Sequence, residues 1–328
     1  MNTLPKKFHN KVEQRDVMDV LRVLPPACLD MIWGDPDYGV GINYSGRKYT
    51  SKWEEYISWY VGLAKECMRV LKPTGNLFMM NYPKQNAHLR ALYLDDAAHG
   101  VYDYVWVYPT NVGHSPKRFT TAHRSILHAT KGKSNNFYKE QIAQPYRNPT
   151  DKRIQGRIAN GSPGRMPYSW LQYNLVKNVS LEKTFHACQI PQELSELFIK
   201  SCTKSGDSVF VLFGGSGSEV AKVKELKRTY LTCEIHPDYC EIIRTRLKNN
   251  FIKKEHRMSS IMQSRRNIGE NGKKIQKQSD LIDRYFRTTT ELYDDLEWDG
   301  EKLDIILDGD VIESYTHSDL SKIIDGFL

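Results

Sequence analysis

The chain has no apolar run of the roughly twenty residues that a membrane-crossing helix needs. Its opening, Met1-Asn2-Thr3-Leu4-Pro5-Lys6-Lys7, leads into no hydrophobic stretch, so neither a membrane span nor a secretory leader is expected. Cysteine is scarce and badly spaced for metal. Cys28, Cys67, Cys188, Cys202, Cys233 and Cys240 form no Cys-x-x-Cys pair, and no histidine lies near them at zinc-finger spacing. No metal is therefore expected, and reduced thiols point to a soluble, cytoplasmic protein. No internal repeat is evident. Acidic residues nearly vanish between 131 and 184, where only Glu140, Asp151 and Glu182 occur.

What is present is basic and aromatic. The 328 residues carry a formal net charge of +8, with 19 tyrosines and 6 tryptophans. Ten lysines and arginines in the 131–184 stretch face its three acids, a surplus of seven that accounts for most of the net charge. Such a surplus favours a polyanionic partner over an acidic small molecule. Tyr138, Tyr146, Tyr168, Trp170 and Tyr173 are interleaved with the cations.

Five buried-type runs predict strands: Leu29–Trp33, Asn76–Met80, Tyr104–Tyr108, Ser208–Phe213 and Tyr230–Ile235. Between them, residues 54–71, 191–202, 218–227 and 237–247 carry apolar side chains near a 3.6 period and predict helices, with Pro191 suited to a first helical turn. This alternation implies an α/β domain: a doubly wound, mostly parallel sheet with helices on both faces. That domain would span residues 1–250, with 131–184 as an insert. Beyond it, 251–328 reads as a basic linker and a small acidic C-terminal appendage.

Two strand ends carry chemistry. Phe213-Gly214-Gly215-Ser216-Gly217-Ser218 joins a strand to a helix, and Glu234 ends the next strand. Glycines let a ligand approach the backbone, and a carboxylate at that distance can accept both hydroxyls of a ribose. Val220 stands where the dinucleotide fingerprint has its third glycine, so NAD and other adenosine cofactors both stay open. Asp35-Pro36-Asp37-Tyr38 leaves the first strand. An ordinary β-turn would account for it. So would a catalytic loop in which the Asp35 carboxylate and the Pro36 carbonyl grip an exocyclic amine while Tyr38 stacks on its base.

The ordered set of motifs resembles the amino-group DNA methyltransferases that use S-adenosylmethionine, in the class where the catalytic motif precedes the cofactor motif. Asp35-Pro36-Asp37-Tyr38 resembles the family's Asp-Pro-Pro-Tyr. Gln14-Arg15-Asp16 is similar to its Asn-Gly-Asp. His186-Ala187-Cys188-Gln189-Ile190-Pro191 is similar to its His-Pro-Thr-Gln-Lys-Pro. The glycine loop is similar to its Phe-x-Gly-Ser-Gly-Thr, and Arg118-Phe119 with His123-Arg124 resembles the loop beside the base pocket. The chain departs from the pattern at Asp37, at Ile190, and at Val211-Leu212, where the family has Asp-Pro.

The resemblance implies a Rossmann-like methyltransferase sheet and a function: transfer of a methyl group from S-adenosylmethionine to adenine N6 of a flipped base in specific double-stranded DNA sites. Cytosine N4 is the alternative acceptor, and a weakly active or non-catalytic DNA-binding relative is a further one. Asp35, Pro36 and Tyr38 would be catalytic. Asp16, His186, Gln189, Phe213, Gly215, Ser216, Gly217, Ser218 and Glu234 would hold the cofactor. The 131–184 insert would recognise the target, with Arg118, Lys152, Arg153, Arg157 and Arg165 on DNA. A homodimer and a restriction endonuclease partner are compatible with it. Methylation of cytosine C5 is excluded, since no cysteine follows a proline to serve as nucleophile.

Overall fold

The computed structural model describes residues 2–39, 43–44, 47–48, 52–109, 117, 119–176, 180, 182–186, 188–249, 252–260, 295–298, 302–307, 310–316 and 318–319. Along the chain, β1 (Lys11–Glu13) and α1 (Val17–Val23) lead to β2 (Leu29–Gly34). The short pair β3 (Asn43–Tyr44) and β4 (Arg47–Lys48) precedes α2 (Trp53–Val70) and β5 (Leu71–Asn81). Then come α3 (Pro83–Leu89), α4 (Asp95–Ala97), β6 (Gly100–Val107) and β7 (His123–Thr130). The basic stretch forms α5 (Lys152–Ala159) and β8 (Trp170–Gln172). The remaining alternation is α6 (Gln192–Cys202), β9 (Ser208–Val211), α7 (Ser218–Glu225), β10 (Thr229–Cys233) and α8 (Pro237–Asn249).

Eight strands make one sheet in the order β1-β10-β9-β2-β5-β7-β6-β8. All neighbours from β1 to β5 are parallel, β7 alone runs against the rest, and β8 lies parallel to β6. Both faces are covered. One apolar cluster gathers α1 and α2 around Leu21, Tyr60 and Leu63, and the other gathers α6 and α7 around Phe198, Val220 and Val223. Because both faces are buried, β2 and β9 are buried at every position rather than at alternate ones. In α2 the buried set Ile57, Tyr60, Leu63, Ala64, Cys67 and Met68 keeps one face inward. Glu54 and Glu55 at its start and Arg69 at its end complement the helix dipole.

From β2 the chain crosses through α2 to β5 on one side. From β9 it crosses through α7 to β10 on the other. The strand order thus reverses between β2 and β9, and the loops after these two parallel strands leave the same edge at the point where ligands of such sheets bind.

Three differences from the sequence reading have physical causes. Pro191 is the extended residue before α6 rather than its first helical residue. The strand β7 was not anticipated, since Ser125-Ile126-Leu127 is a short apolar run between polar neighbours and its burial depends on pairing with both β5 and β6. The basic stretch is not wholly outside the main sheet: Val105 pairs with Trp170 and Trp106 with Leu171, so its last part supplies the edge strand. Near the C-terminus, β11 (Asp295–Trp298), β12 (Lys302–Leu307) and β13 (Asp310–Thr316) form an antiparallel sheet of their own.

A buried carboxylate pins the amino ends of the central strands. Asp30 on β2 accepts from Lys72 Nζ at 2.8 Å on β5, and from Ser208 N at 2.9 Å and Ser208 Oγ at 2.8 Å on β9. Asp30→Ala would leave Lys72 and the Ser208 N–H without that partner. Urea unfolding is expected to show a loss of about 3–5 kcal/mol, the range for breaking a buried pair from one side.

Candidate active site

A cavity of about 700 Å³ opens at the edge where β2 and β9 end. That is roomy enough for a nucleoside-sized ligand. Two loops form its opposing walls, the Asp35–Tyr38 segment after β2 and the Phe213–Ser216 segment after β9.

The glycine loop is held by main-chain bonds. Gly214 N donates to Cys233 O at 2.7 Å and Gly217 N donates to Gly214 O at 2.7 Å. Gly217 sits in the left-handed region at φ +74° and caps α7. Gly215 has φ +47°, and a Cβ there would lie 2.9 Å from the His186 ring, so glycine lets that ring pack against the loop. Glu234 braces the loop from β10. Its Oε2 accepts from Gly215 N at 3.0 Å and its Oε1 from His236 N at 2.8 Å. A carboxylate has about four acceptor positions, so capacity remains for two ligand hydroxyls. The parallel pairing of β1 with β10 carries Asp16 to the same rim, where one of its oxygens caps α1 by accepting from Met18 N at 2.8 Å.

Asp16, His186, Phe213, Gly215, Ser216 and Glu234 all line the cavity. Gln189, Gly217 and Ser218 stand behind the wall instead. Gln189 is buried; its Oε1 accepts from Thr184 N at 3.0 Å and its Nε2 donates to Glu182 O at 2.9 Å, closing the turn that carries His186. Ser218 is fully buried and donates to Glu219 Oε2 at 2.7 Å. The His186 ring bonds through Nδ1 to Cys188 O and packs edge-on to Tyr239 at 4.7 Å. Burial holds its pKa down at about 4, so the imidazole is neutral at ordinary pH.

The same turn is clasped by the chain beyond α8. Phe185 N donates to His256 O at 3.1 Å, Met258 N donates to Lys183 O at 2.9 Å, and Thr184 bridges to Arg257. Nothing in the polar 251–260 sequence announces this contact.

Asp35, Pro36, Asp37 and Tyr38 line the opposite wall. The Tyr38 hydroxyl donates to Asp35 Oδ1 at 2.7 Å. Two side chains not anticipated from sequence fix the loop: Gln85 Nε2 donates to Tyr38 O at 2.9 Å, and the Tyr56 hydroxyl donates to Asp37 O at 2.7 Å. Tyr38 itself is buried, edge-on to Tyr82 at 5.0 Å. Arg124 sits 4.1 Å from the centre of the Tyr82 ring, 5.4 Å from Tyr38 and 5.6 Å from Tyr108. Its partners lie at positions 38, 82 and 108, so no local spacing could reveal this cation among three rings.

Two of the departures from the family pattern have a packing explanation. Ile190 and Val211 are buried in the cluster around Phe198, where a charged side chain would have to be desolvated. Among the proposed DNA contacts, Lys152, Arg153 and Arg157 are exposed on α5. Arg165 is half-buried, with its guanidinium 4.9 Å from the Tyr168 ring. Arg118 lies outside the described residues.

The catalytic-type loop is electrostatically costly. Burial pushes the Asp35 carboxyl up to about 8; the Tyr38 hydroxyl and Arg124 pull against this, while Glu219 and Asp37 add to it. Burial raises Asp37 to about 6. A carboxyl raised in the folded state loses stability as pH climbs from its unfolded pKa to its folded one. For Asp35 that window runs from 3.8 to about 8. Asp35→Asn is therefore expected to stabilise the protein at pH 8 by about 1–3 kcal/mol and to leave it little changed at pH 4. Paired denaturant titrations at the two pH values check this; an equal change at both would contradict it.

A family model for N6 and N4 methyltransferases, described as DNA methylase, matches residues 29–245. The type II methyltransferase M.BglII of Bacillus subtilis is 26% identical over 254 residues, which span 74% of this chain and 69% of that protein. Among solved structures, a PvuII DNA methyltransferase described as cytosine-N4-specific aligns with a TM-score of 0.56 at 19% identity, covering 75% of this chain and 89% of the other. A complex of M1.HpyAVI with S-adenosylmethionine gives 0.51 at 18% identity, covering 72% and 98%. At those identities the two structures speak for the fold alone. With two thirds of its length matched by the family model, the chain belongs to the S-adenosylmethionine-dependent DNA methylases that modify amino nitrogens, the N6/N4 family.

Proposed function

We propose that the chain methylates the exocyclic N6 amine of an adenine flipped out of specific sites in double-stranded DNA. One observation carries this reading: Asp35, Pro36 and Tyr38 line the same cavity as Gly215 and Glu234. An acceptor pair for an amine thus opens on the space that a nucleoside cofactor would fill. S-adenosylmethionine would supply an electrophilic methyl on a sulfonium and leave as the neutral thioether with the bonding pair, and the extra proton on the methylated nitrogen would pass to the Asp35 carboxylate or to solvent.

The residues of the cavity fit that cofactor. Glu234 has acceptor capacity for the ribose hydroxyls, Asp16 can accept from the adenine amine, and the tight approach at Gly215 opens the backbone to the ligand. Trp59 and Phe213, with ring centres 6.3 Å apart, add an apolar wall. The exocyclic amine of a base is a weak nucleophile because its lone pair is delocalised into the ring. The Asp35 carboxylate and the Pro36 carbonyl would each accept one N–H, draw the nitrogen toward tetrahedral geometry and hold the positive charge that grows there. Tyr38 would pack on the flipped base.

Cytosine N4 poses the same chemical problem and remains the second reading, since the cytosine-N4 enzymes have a similar loop. An aspartate at position 35 favours adenine, because those enzymes more often resemble Ser-Pro-Pro-Tyr. Digesting DNA to nucleosides after incubation with methyl-labelled cofactor distinguishes the two. Label in N6-methyladenine is expected; label only in N4-methylcytosine would overturn the adenine assignment.

Ionised Asp35 accepts from the amine more strongly than the neutral acid and balances the positive charge growing on the nitrogen. Hence kcat/KM should rise with pH along a limb near the value of about 8 for the free enzyme. Asp35→Ala should abolish transfer while duplex binding persists, and unchanged activity in that variant would refute the role.

The exposed cations of α5 are assigned to backbone phosphates. Each neutral substitution of Lys152, Arg153 or Arg157 should flatten the slope of log affinity against log salt by about 1. An unchanged slope would remove α5 from the interface.

A further inference from the structure

Acidic side chains outnumber basic ones on the cavity wall. Among its described lining residues are Asp16, Asp35, Asp37, Glu55, Glu219 and Glu234, against Arg15 as the single lysine or arginine. The chain as a whole is +8, so the acidity belongs to the cavity and not to the protein. Most of these carboxylates have local compensation. Asp35 takes the Tyr38 hydroxyl and feels Arg124. Glu219 takes Ser218 Oγ and has Arg246 behind it. Glu234 and Asp16 accept backbone N–H groups.

Asp37 differs. Its Oδ1 accepts from Gly39 N at 2.8 Å, and its Oδ2 is buried with no hydrogen-bond partner among the described residues. Only burial and backbone N–H groups shift its pKa; no described cation contributes. At about 6 the group is still mostly ionised at neutral pH. A half-buried anion with one oxygen unsatisfied costs folding free energy unless something bound later compensates it.

We propose that Asp37 selects cofactor by charge: its carboxylate favours the cationic methyl donor over the neutral thioether product left after transfer. This rests on the reading of the cavity as the cofactor site. The interaction acts through space from a partly desolvated carboxylate, where Coulomb energies exceed their values in water. It would hold the donor before the reaction and loosen the product afterwards. A proline at this position, as in the family pattern, would lack that property.

Calorimetry at pH 7.5 with three ligands tests the idea: S-adenosylmethionine, S-adenosylhomocysteine, and an unreactive analogue carrying an ammonium in place of the sulfonium. Asp37→Asn keeps the acceptor for Gly39 N and removes only the charge. The expected result is that the wild type binds both cations at least about tenfold more tightly than the neutral product. Asp37→Asn should shrink this ratio severalfold while leaving the neutral product within about twofold. Equal weakening of all three ligands, or an unchanged ratio, overturns the proposal. So does a wild type that binds the neutral product as tightly as the cations, which needs no variant to be folded. Failure of the wild type to bind any of the three would instead overturn the cofactor reading on which the proposal rests.

Discussion

The site depends on one pairing, the parallel contact between β2 and β9. Trp33 lies in register with Val211, and Leu212 N donates to Trp33 O at 2.9 Å, so the two strands end level with each other. Because α2 and α7 carry the chain away in opposite directions, no crossover covers the gap above these ends. Every wall of the cavity follows from that vacancy in the topology: the Asp35 loop and the glycine loop flank it, β10 brings Glu234, and β1 brings Asp16. Asp30 clamps the opposite ends of β2, β5 and β9, fixing the register that levels the active ends. A slip of one residue would turn Asp35 to the other face of the sheet.

The arrangement sets reactivity against stability. A carboxylate that must accept from a poorly basic amine works best where water is scarce, and scarcity of water is what raises Asp35 to about 8. Arg124 limits this rise by placing a fixed cation among Tyr38, Tyr82 and Tyr108. The side chain that restrains the loop therefore also favours the ionised form of Asp35. Gln85 and Tyr56 bond to backbone oxygens of the same loop, so the strained chemistry is held by neutral donors that add no competing charge.

Legibility from sequence divided along physical lines. Buried strand ends were readable because burial on both faces leaves continuous apolar runs before polar turns, as at Leu29–Gly34 and Ser208–Val211. Glu234 was readable because its distance from the glycines is set by one helix and one strand. Gln189 shows the limit: its spacing from His186 is that of a lining residue, yet its amide is spent on Thr184 and Glu182. Spacing cannot tell an amide that faces a cavity from one that closes the turn behind it. The Arg124 box, the Gln85 brace and the clasp from residues 256–258 join positions far apart in the chain, and none has a local pattern. Strand β8 was hidden for another reason. Its three residues sit in a polar stretch, and only the partner β6 makes them a strand.

Opposite signs of charge occupy different parts of the molecule, and the separation suits the proposed reaction. Part of the basic surplus, Lys133, Lys139, Arg147 and the α5 cations Lys152, Arg153 and Arg157, is exposed, where it can attract phosphates over about a Debye length. The acids lie inside the cavity, which no lysine and a single arginine line among the described residues. A phosphate drawn to the outer surface is repelled by that interior, whereas a neutral base is not. In the proposed reaction a base would enter with its backbone left outside, as a flipped nucleotide does. The cationic cofactor is attracted by the same field that excludes phosphate. In the proposed reaction this distribution of charge would hold the duplex at the surface, admit the base and favour the cationic methyl donor inside the cavity.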